Sequence, residues 1–228
     1  MGRCADKLDK KSILKYMKHF FPFILLLFVP FLAKSQTYYL GNVCNDYFPF
    51  NPFENEFSNL FKLLNADPHS GNKTIQKRTD STLFLFKSVY TNYPKLNTRV
   101  LRVEIKLQEA EVVLSDSLHV KDTLIQYQLT CYFDGGTKGL QTVKKAFDNF
   151  DREYKNHFST SSSSKIKDDD KDSGIIKNYF ISLSPISPLS IAWTSIDENE
   201  SAFVILLRLK LKQNTLDTYK FSDVKYPH

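Results

Sequence analysis

Histidine, a common general base and metal ligand, forms no recognisable site in this 228-residue chain. Beyond the first 35 residues the histidines are His69, His119, His157 and His228. None of them stands at metal-ligand spacing from another histidine or from a cysteine. We therefore interpret them as solvated or helix-capping side chains and predict no metal site.

Three alternating aspartates, Asp168, Asp170 and Asp172, resemble in their spacing the first oxygen ligands of a calcium-binding loop. Such a loop needs glycine at its sixth position and a bidentate glutamate at its twelfth. Those positions are occupied here by Ser173 and Tyr179. We interpret the aspartates as part of a solvated acidic linker, and the sequence predicts no metal or other cofactor.

A glycine-rich segment, residues 134–139, lies between a predicted strand and a predicted helix. The backbone N–H groups of Gly135 and Gly136, together with Lys138, are candidates for binding an anion at the helix N-terminus. Their spacing is neither that of a phosphate-binding loop nor that of a dinucleotide-binding fingerprint. A tight turn capped by Thr137 is the competing interpretation. The chain also has no Gly-x-Ser-x-Gly element, so no catalytic motif supports an enzyme.

Aromatic side chains are concentrated in an N-terminal arm, residues 36–53. The candidate binding residues in it are Tyr38, Tyr39, Tyr47, Phe48 and Phe50. Exposed rings of this kind can bind sugars or hold a partner's strand. The alternative is that Phe48, Phe50 and Phe53 simply fill the core.

The first 35 residues are typical of a secretory signal peptide. A basic flank precedes an apolar run from Phe20 to Leu32, and Ala33 and Ser35 provide small residues before a cleavage point at Gln36. The run is shorter than the roughly 20 residues that a membrane-spanning helix needs, so we expect no stable transmembrane anchor after cleavage. Met17 is a possible true start. The sequence thus predicts a periplasmic or extracellular protein.

Removing this leader changes the charge and the cysteine count. The whole chain has a net charge of +6, but residues 36–228 hold 24 basic and 23 acidic residues. Such a balance gives no reason to expect nucleic acid as a partner. Cys44 and Cys131 remain, and in an oxidising compartment we predict a disulfide between them. Two separate buried thiols are the alternative.

The remaining pattern predicts two helices and six strands. One helix is capped by Asn51 and buries Phe57, Leu60, Phe61 and Leu64; a longer amphipathic helix follows residue 139. Period-two alternation predicts three strands between residues 82 and 133 and three between 175 and 212, with a bulge near residues 109–111. Residues 159–173 are predicted to be a disordered-like loop, and residues 214–228 a tail.

These elements predict a single α+β domain over residues 54–213, with a mainly antiparallel sheet of about six strands in two three-stranded meanders. The helices cover one face of the sheet, and two small packed sheets are the alternative. From this we expect a non-enzymatic exported protein that interacts with an unknown protein partner. The alternative function is binding of a small molecule or carbohydrate in an aromatic-lined cavity between sheet and helix.

Overall fold

The computed structural model describes residues 38–53, 57–77, 84–96, 98–115, 120–168, 171–181 and 187–210. The predicted signal peptide, the Met17 start and the C-terminal tail lie outside these residues. The chain divides into two units, residues 1–38 and 39–228, and every element discussed below lies in the second unit apart from Tyr38.

The described residues form three α-helices, one short 3-10 helix and eight strands. In chain order they are α1 (38–47), α2 (Phe57–Ala66), β1 (Lys73–Lys77), β2 (Phe84–Tyr90), β3 (Arg102–Ser115), β4 (Val120–Asp134), α3 (Gly136–Tyr154), the 3-10 helix (Lys155–His157), β5 (Thr160–Asp168), β6 (Lys171–Phe180), β7 (Leu189–Ser195) and β8 (Glu200–Lys210).

All eight strands belong to one antiparallel sheet, in the order β1-β2-β3-β4-β8-β7-β6-β5. The α+β class and the antiparallel sheet are confirmed. The finer prediction is corrected, because each meander has four strands rather than three and the two meanders join through β4 and β8. The alternative of two packed sheets is not formed.

The two strands that the sequence pattern missed are the outermost ones, β1 and β5. A strand at the edge of a sheet pairs on one side only, and when its side chains are polar it lacks the alternation that identifies a strand. Residues 160–168, predicted to be part of a disordered-like loop, instead form β5 and pair with β6. The predicted bulge is also displaced: the β3–β4 register is continuous through residues 109–113 and shifts between Val113 and Ser115.

The three helices pack on the same face of the sheet. The predicted apolar stripe of α3 is confirmed, since Val143, Phe147, Phe150 and Tyr154 are buried, and this helix contacts β4, β7 and β8. Helix α2 buries Leu60, Phe61 and Leu64 as predicted. Helix α1, which the sequence pattern did not predict, contributes Leu40, Val43 and Cys44 to the same core. We call the opposite side of the sheet the open face.

The two meanders place residues in equivalent positions about the central β4–β8 pair. Two rows cross the sheet, Tyr90–Val103–Cys131–Phe203 and Tyr179–Leu189–Leu207–Tyr127. Each row begins with a tyrosine in the second strand of one meander and ends with an aromatic residue in the last strand of the other. Each half is therefore a helix followed by a four-stranded meander.

Candidate functional site

The aromatic residues of the N-terminal arm have different surroundings. The Tyr38 side chain is 65% exposed. The Tyr39 ring stacks on the His157 ring, with centroids 3.7 Å apart and planes 15° apart. Tyr47 and Phe50 are partly buried and pack against the core. Phe48 is completely buried.

Ring-to-ring packing occupies the space between α1 and the sheet. The Phe48 ring lies 4.4 Å from the Tyr127 ring, and the Tyr47 ring lies 5.3 Å from the Phe150 ring. The Tyr93 hydroxyl donates a 2.6 Å hydrogen bond to the carbonyl of Tyr47. Burial, followed by the charges of Glu153 and Asp46, raises the pKa of Tyr47 to about 12. Phe48 therefore fills the core and Phe50 packs against it, as the core-filling interpretation expects, whereas Phe53 is 39% exposed. Tyr47, a candidate binding residue, also packs against the core.

Cys44 and Cys131 are both buried thiols in this structure, and no disulfide joins them. The predicted bridge is thus not formed here. Burial raises the pKa of the Cys131 thiol, which lies on the helix-facing side of β4 as predicted. Tyr127, on the same strand, is completely buried, and its hydroxyl forms no hydrogen bond of good geometry among the described residues, although the Phe50 backbone interacts with it.

Three tyrosines of the core donate hydrogen bonds to aspartates at the ends or sides of the helices. Tyr90 bonds Asp67 Oδ2 at 2.8 Å, and Tyr179 bonds Asp151 Oδ1 at 2.7 Å. These two tyrosines occupy equivalent places in the two meanders. The third pair joins the Tyr154 hydroxyl to Asp46 Oδ2 at 2.5 Å. Because each hydroxyl donates to a carboxylate, we assign the first two pairs to positioning the helices on the sheet and the third to joining α3 to α1.

The glycine-rich segment lies in close contact with the backbone of the loop before β8. Gly135 donates a 2.7 Å hydrogen bond to the carbonyl of Asn199, and a Cβ at residue 135 would overlap the backbone of Glu198 and Asn199. Gly136 has a φ of 71°, which favours glycine. Lys138 is exposed. No side chain caps the helix, so the predicted Thr137 cap is not formed. The tight-turn interpretation explains both glycines without an anion.

The open face carries a charged network across β2, β3 and β8. Arg102 forms a two-pronged contact with Glu200, at 2.5 and 3.2 Å, and its guanidinium lies 3.8 Å from the Tyr132 ring centroid. Glu104 accepts hydrogen bonds from Lys87 Nζ at 2.9 Å and from the Tyr132 hydroxyl at 3.0 Å. Two positive and two negative charges balance, so the network itself offers no net charge to a ligand.

A second group on this face surrounds Arg208. Its Nη1 donates to the Ser187 carbonyl at 3.2 Å and to Ser190 Oγ at 2.6 Å. Ser190 Oγ donates in turn to Asn178 Oδ1 at 2.6 Å. Burial lowers the pKa of Arg208, and no carboxylate pairs with its guanidinium within the described part of the chain. These bonds fasten Ser187, which lies just before β7, to the sheet.

The outer side of β5, which we call the β5 edge, is the candidate interaction site. Strand β5 is the last in the sheet order, and the side chains of residues 160–165 are all exposed. The backbone orientation along it follows from the register. The Arg208 N–H donates to the Pro188 carbonyl, so the even-numbered residues of β7 direct their backbone groups toward β8 and the odd-numbered ones toward β6. In β6, the odd-numbered residues therefore face β7 and the even-numbered ones face β5.

Followed out to β5, this alternation points the backbone groups of Ser162 and Ser164 toward β6. The N–H and C=O groups of Ser161 and Ser163 point away from the sheet. Such outward groups can hydrogen-bond an added strand. Sequence reasoning missed this site, because a run of serine and threonine between periodic segments, as in residues 159–164, is typical of a loop.

No helix in the described part of the chain is long and apolar enough to cross a membrane. No group of three or more His, Cys, Asp or Glu side chains is arranged there to hold a metal ion. The fold and the β5 edge define an α+β protein with helices on one face of an open antiparallel sheet. No protein family, curated protein or solved structure matches the chain.

Proposed function

We propose that the chain is an exported, non-enzymatic protein that binds another protein by adding a partner's extended segment to the β5 edge. The observation that carries the proposal is the exposure of residues 160–165 at the end of the sheet, with Ser161 and Ser163 directing backbone groups outward. Export is the expectation from the leader, which lies outside the described residues.

The first part of the β5 edge, residues 160–164, lacks the usual protection against added strands, which begins only at Lys165. Edge strands are commonly blocked by proline, by charged side chains or by bulges. Residues 160–164 contain only threonine and serine, and the register shift of this strand comes later, between Ile166 and Lys167. Backbone hydrogen bonds would supply affinity for an extended peptide, and small side chains allow it to approach closely.

The alternative, a small-molecule or carbohydrate site between sheet and helix, has weaker support. The side chains expected to line such a cavity pack on one another instead, with Phe48 against Tyr127 and Tyr47 against Phe150. A feature that favours a small ligand is Arg208, on the open face rather than in the core. Its hydrogen bonds to Ser187 and Ser190 already give it a structural role.

Site-specific photocrosslinking in the cells that produce the protein tests the proposal. A photoreactive phenylalanine analogue at Ser161 is compared with the same analogue at Lys145, an exposed position on α3. We expect a protein adduct from position 161 that position 145 does not give. The adduct should disappear in a Ser163→Pro variant, because proline removes an outward N–H without removing a β5–β6 hydrogen bond. No adduct, or the same adducts from both positions, would contradict the proposal.

A further inference from the structure

We infer that the partner of the β5 edge is a second copy of this chain, paired antiparallel with the first about a two-fold axis at Ser162. This inference rests on the proposed function and names the occupant of the same edge. The two copies would form one continuous antiparallel sheet, β5 against β5.

The backbone geometry permits this register, and the side chains favour it over its neighbours. Ser161 and Ser163 are the serines of β5 whose N–H and C=O groups point outward, and antiparallel pairing joins outward residues to outward residues. With the axis at Ser162, Ser161 of each copy lies opposite Ser163 of the other. Each of these two residue pairs can exchange two hydrogen bonds, giving four in total. An axis at Ser163 would also pair Ser161 with Lys165, whose backbone points outward too, and so would bring two lysine side chains into the paired segment. An axis at Ser161 would pair Ser163 with Ser159, which lies before β5.

The side chains agree with this register. Lys165 and the irregularity between Ile166 and Lys167 fall beyond the paired segment, so no ammonium group lies opposite another. An axis at Lys165 would place like charges face to face. An axis at Ser162 also costs less conformational entropy than an axis at Lys165, because no long side chains have to be ordered at the centre of the interface.

The opposite edge of the sheet is less suited to this pairing. Strand β1 has five residues, against nine in β5. Its Lys73 ammonium is held by the carbonyls of Asn65 at 2.5 Å and Asp67 at 3.2 Å, at the end of α2. A β5–β5 contact uses the same surface in both copies and closes as a dimer, whereas a β5–β1 contact would leave edges for further addition.

Sedimentation of the full exported protein over a range of concentrations tests the association. We expect a reversible monomer–dimer equilibrium that Ser163→Pro shifts to monomer. Circular dichroism and the midpoint of thermal unfolding should show that the variant remains folded. Wild-type protein that stays monomeric at all concentrations would overturn the inference.

Substitutions that introduce opposite charges at Ser162 test the register. Ser162 faces itself across the interface as a non-hydrogen-bonded pair, where opposing side chains come closest. Ser162→Lys and Ser162→Glu should each weaken self-association, while their mixture should associate about fivefold or more tightly than either alone. The same two substitutions at Gln141, exposed on α3, should have no such effect. A mixture no tighter than the single variants would overturn the register.

The crosslinking result separates this inference from the proposed function. An adduct at Ser161 between two copies of the chain supports both. An adduct that contains a different protein supports the proposed function and overturns the present inference. The absence of any adduct from Ser161, together with monomeric sedimentation, overturns both.

Discussion

The Tyr179 hydroxyl donates a 2.7 Å hydrogen bond to Asp151 Oδ1, and this bond joins the second strand of the C-terminal meander to the helix above it. Lys177 Nζ lies 2.6 Å from the same carboxylate oxygen. In the N-terminal half, Tyr90 and Asp67 form the equivalent bond at 2.8 Å. Each half thus connects its helix region to its meander by a buried tyrosine and an aspartate.

Removing either phenolic hydroxyl should destabilise the fold. We expect Tyr179→Phe and Tyr90→Phe each to lower the free energy of unfolding by about 1.5 kcal/mol, because each removes one hydrogen bond to a carboxylate. Lys177 still contacts Asp151, and the His69 N–H still bonds Asp67. Urea unfolding measures the change. Tyr127→Phe is the control, since that buried hydroxyl bonds no carboxylate among the described residues, and its removal should cost less than either of the other two. Equal losses in all three variants would contradict the assignment.

Asp151 should make stability depend on pH. Burial acts to raise the pKa of this carboxyl, but hydrogen bonds from Lys177 and Tyr179 outweigh it and lower the pKa below its ordinary value. A lowered folded pKa stabilises the folded state above the unfolded pKa of about 3.9, and the contribution is lost as pH falls through the folded pKa.

Urea unfolding of wild type and Asp151→Asn from neutral to acid pH tests this sign. The wild type should be the more stable at neutral pH, and the difference should shrink as Asp151 becomes protonated. A difference that stays constant down to strongly acid pH would show that the ionised carboxylate contributes nothing specific.

The two adjacent glycines before α3 should differ in their sensitivity to substitution. Gly135→Ala should cost about 3 kcal/mol or more, because the new methyl group overlaps the backbone of Glu198 and Asn199. The methyl group of Gly136→Ala would have no neighbour within 4 Å, so this substitution should lower the free energy of unfolding by only about 1–2 kcal/mol, the cost of a left-handed backbone conformation. Thermal unfolding of the two variants compares them. If phosphate stabilised the wild type but neither variant, the anion-binding interpretation would replace the packing one.

The cysteines should be protected thiols. Cys44 is completely buried and Cys131 is 1% exposed, so an alkylating reagent should add nothing to the native protein. For the exported chain without the leader that holds Cys4, we expect two adducts by mass spectrometry in denaturant without reductant. If adducts form only after reduction, the exported protein carries the disulfide that the sequence predicts.

The sequence was most informative where burial imposes a periodic pattern. Alternation along β3, β4 and β8, and the stripe of α3 from Val143 to Tyr154, depend on one apolar face and are confirmed. Strand β5 could not be predicted in this way, because it is stabilised by backbone pairing with β6 and buries few side chains. Helix α1 was missed because its aromatic residues were interpreted as a binding arm.

The candidate site was hidden for the same reason. The outward direction of Ser161 and Ser163 depends on a register that passes through β8, β7 and β6, and no local pattern encodes it. The Tyr90–Asp67 and Tyr179–Asp151 bonds likewise join residues that only the folded topology brings together.

Amide hydrogen exchange along β5, followed by NMR at low and high protein concentration, tests the central claim most directly. At low concentration, the amides of Ser162 and Ser164 should be protected by β6, while those of Ser161 and Ser163 exchange rapidly. At high concentration, Ser161 and Ser163 should become protected as the edge is covered by a second strand. Rapid exchange of both amides at every concentration, with no partner able to slow it, would contradict the account.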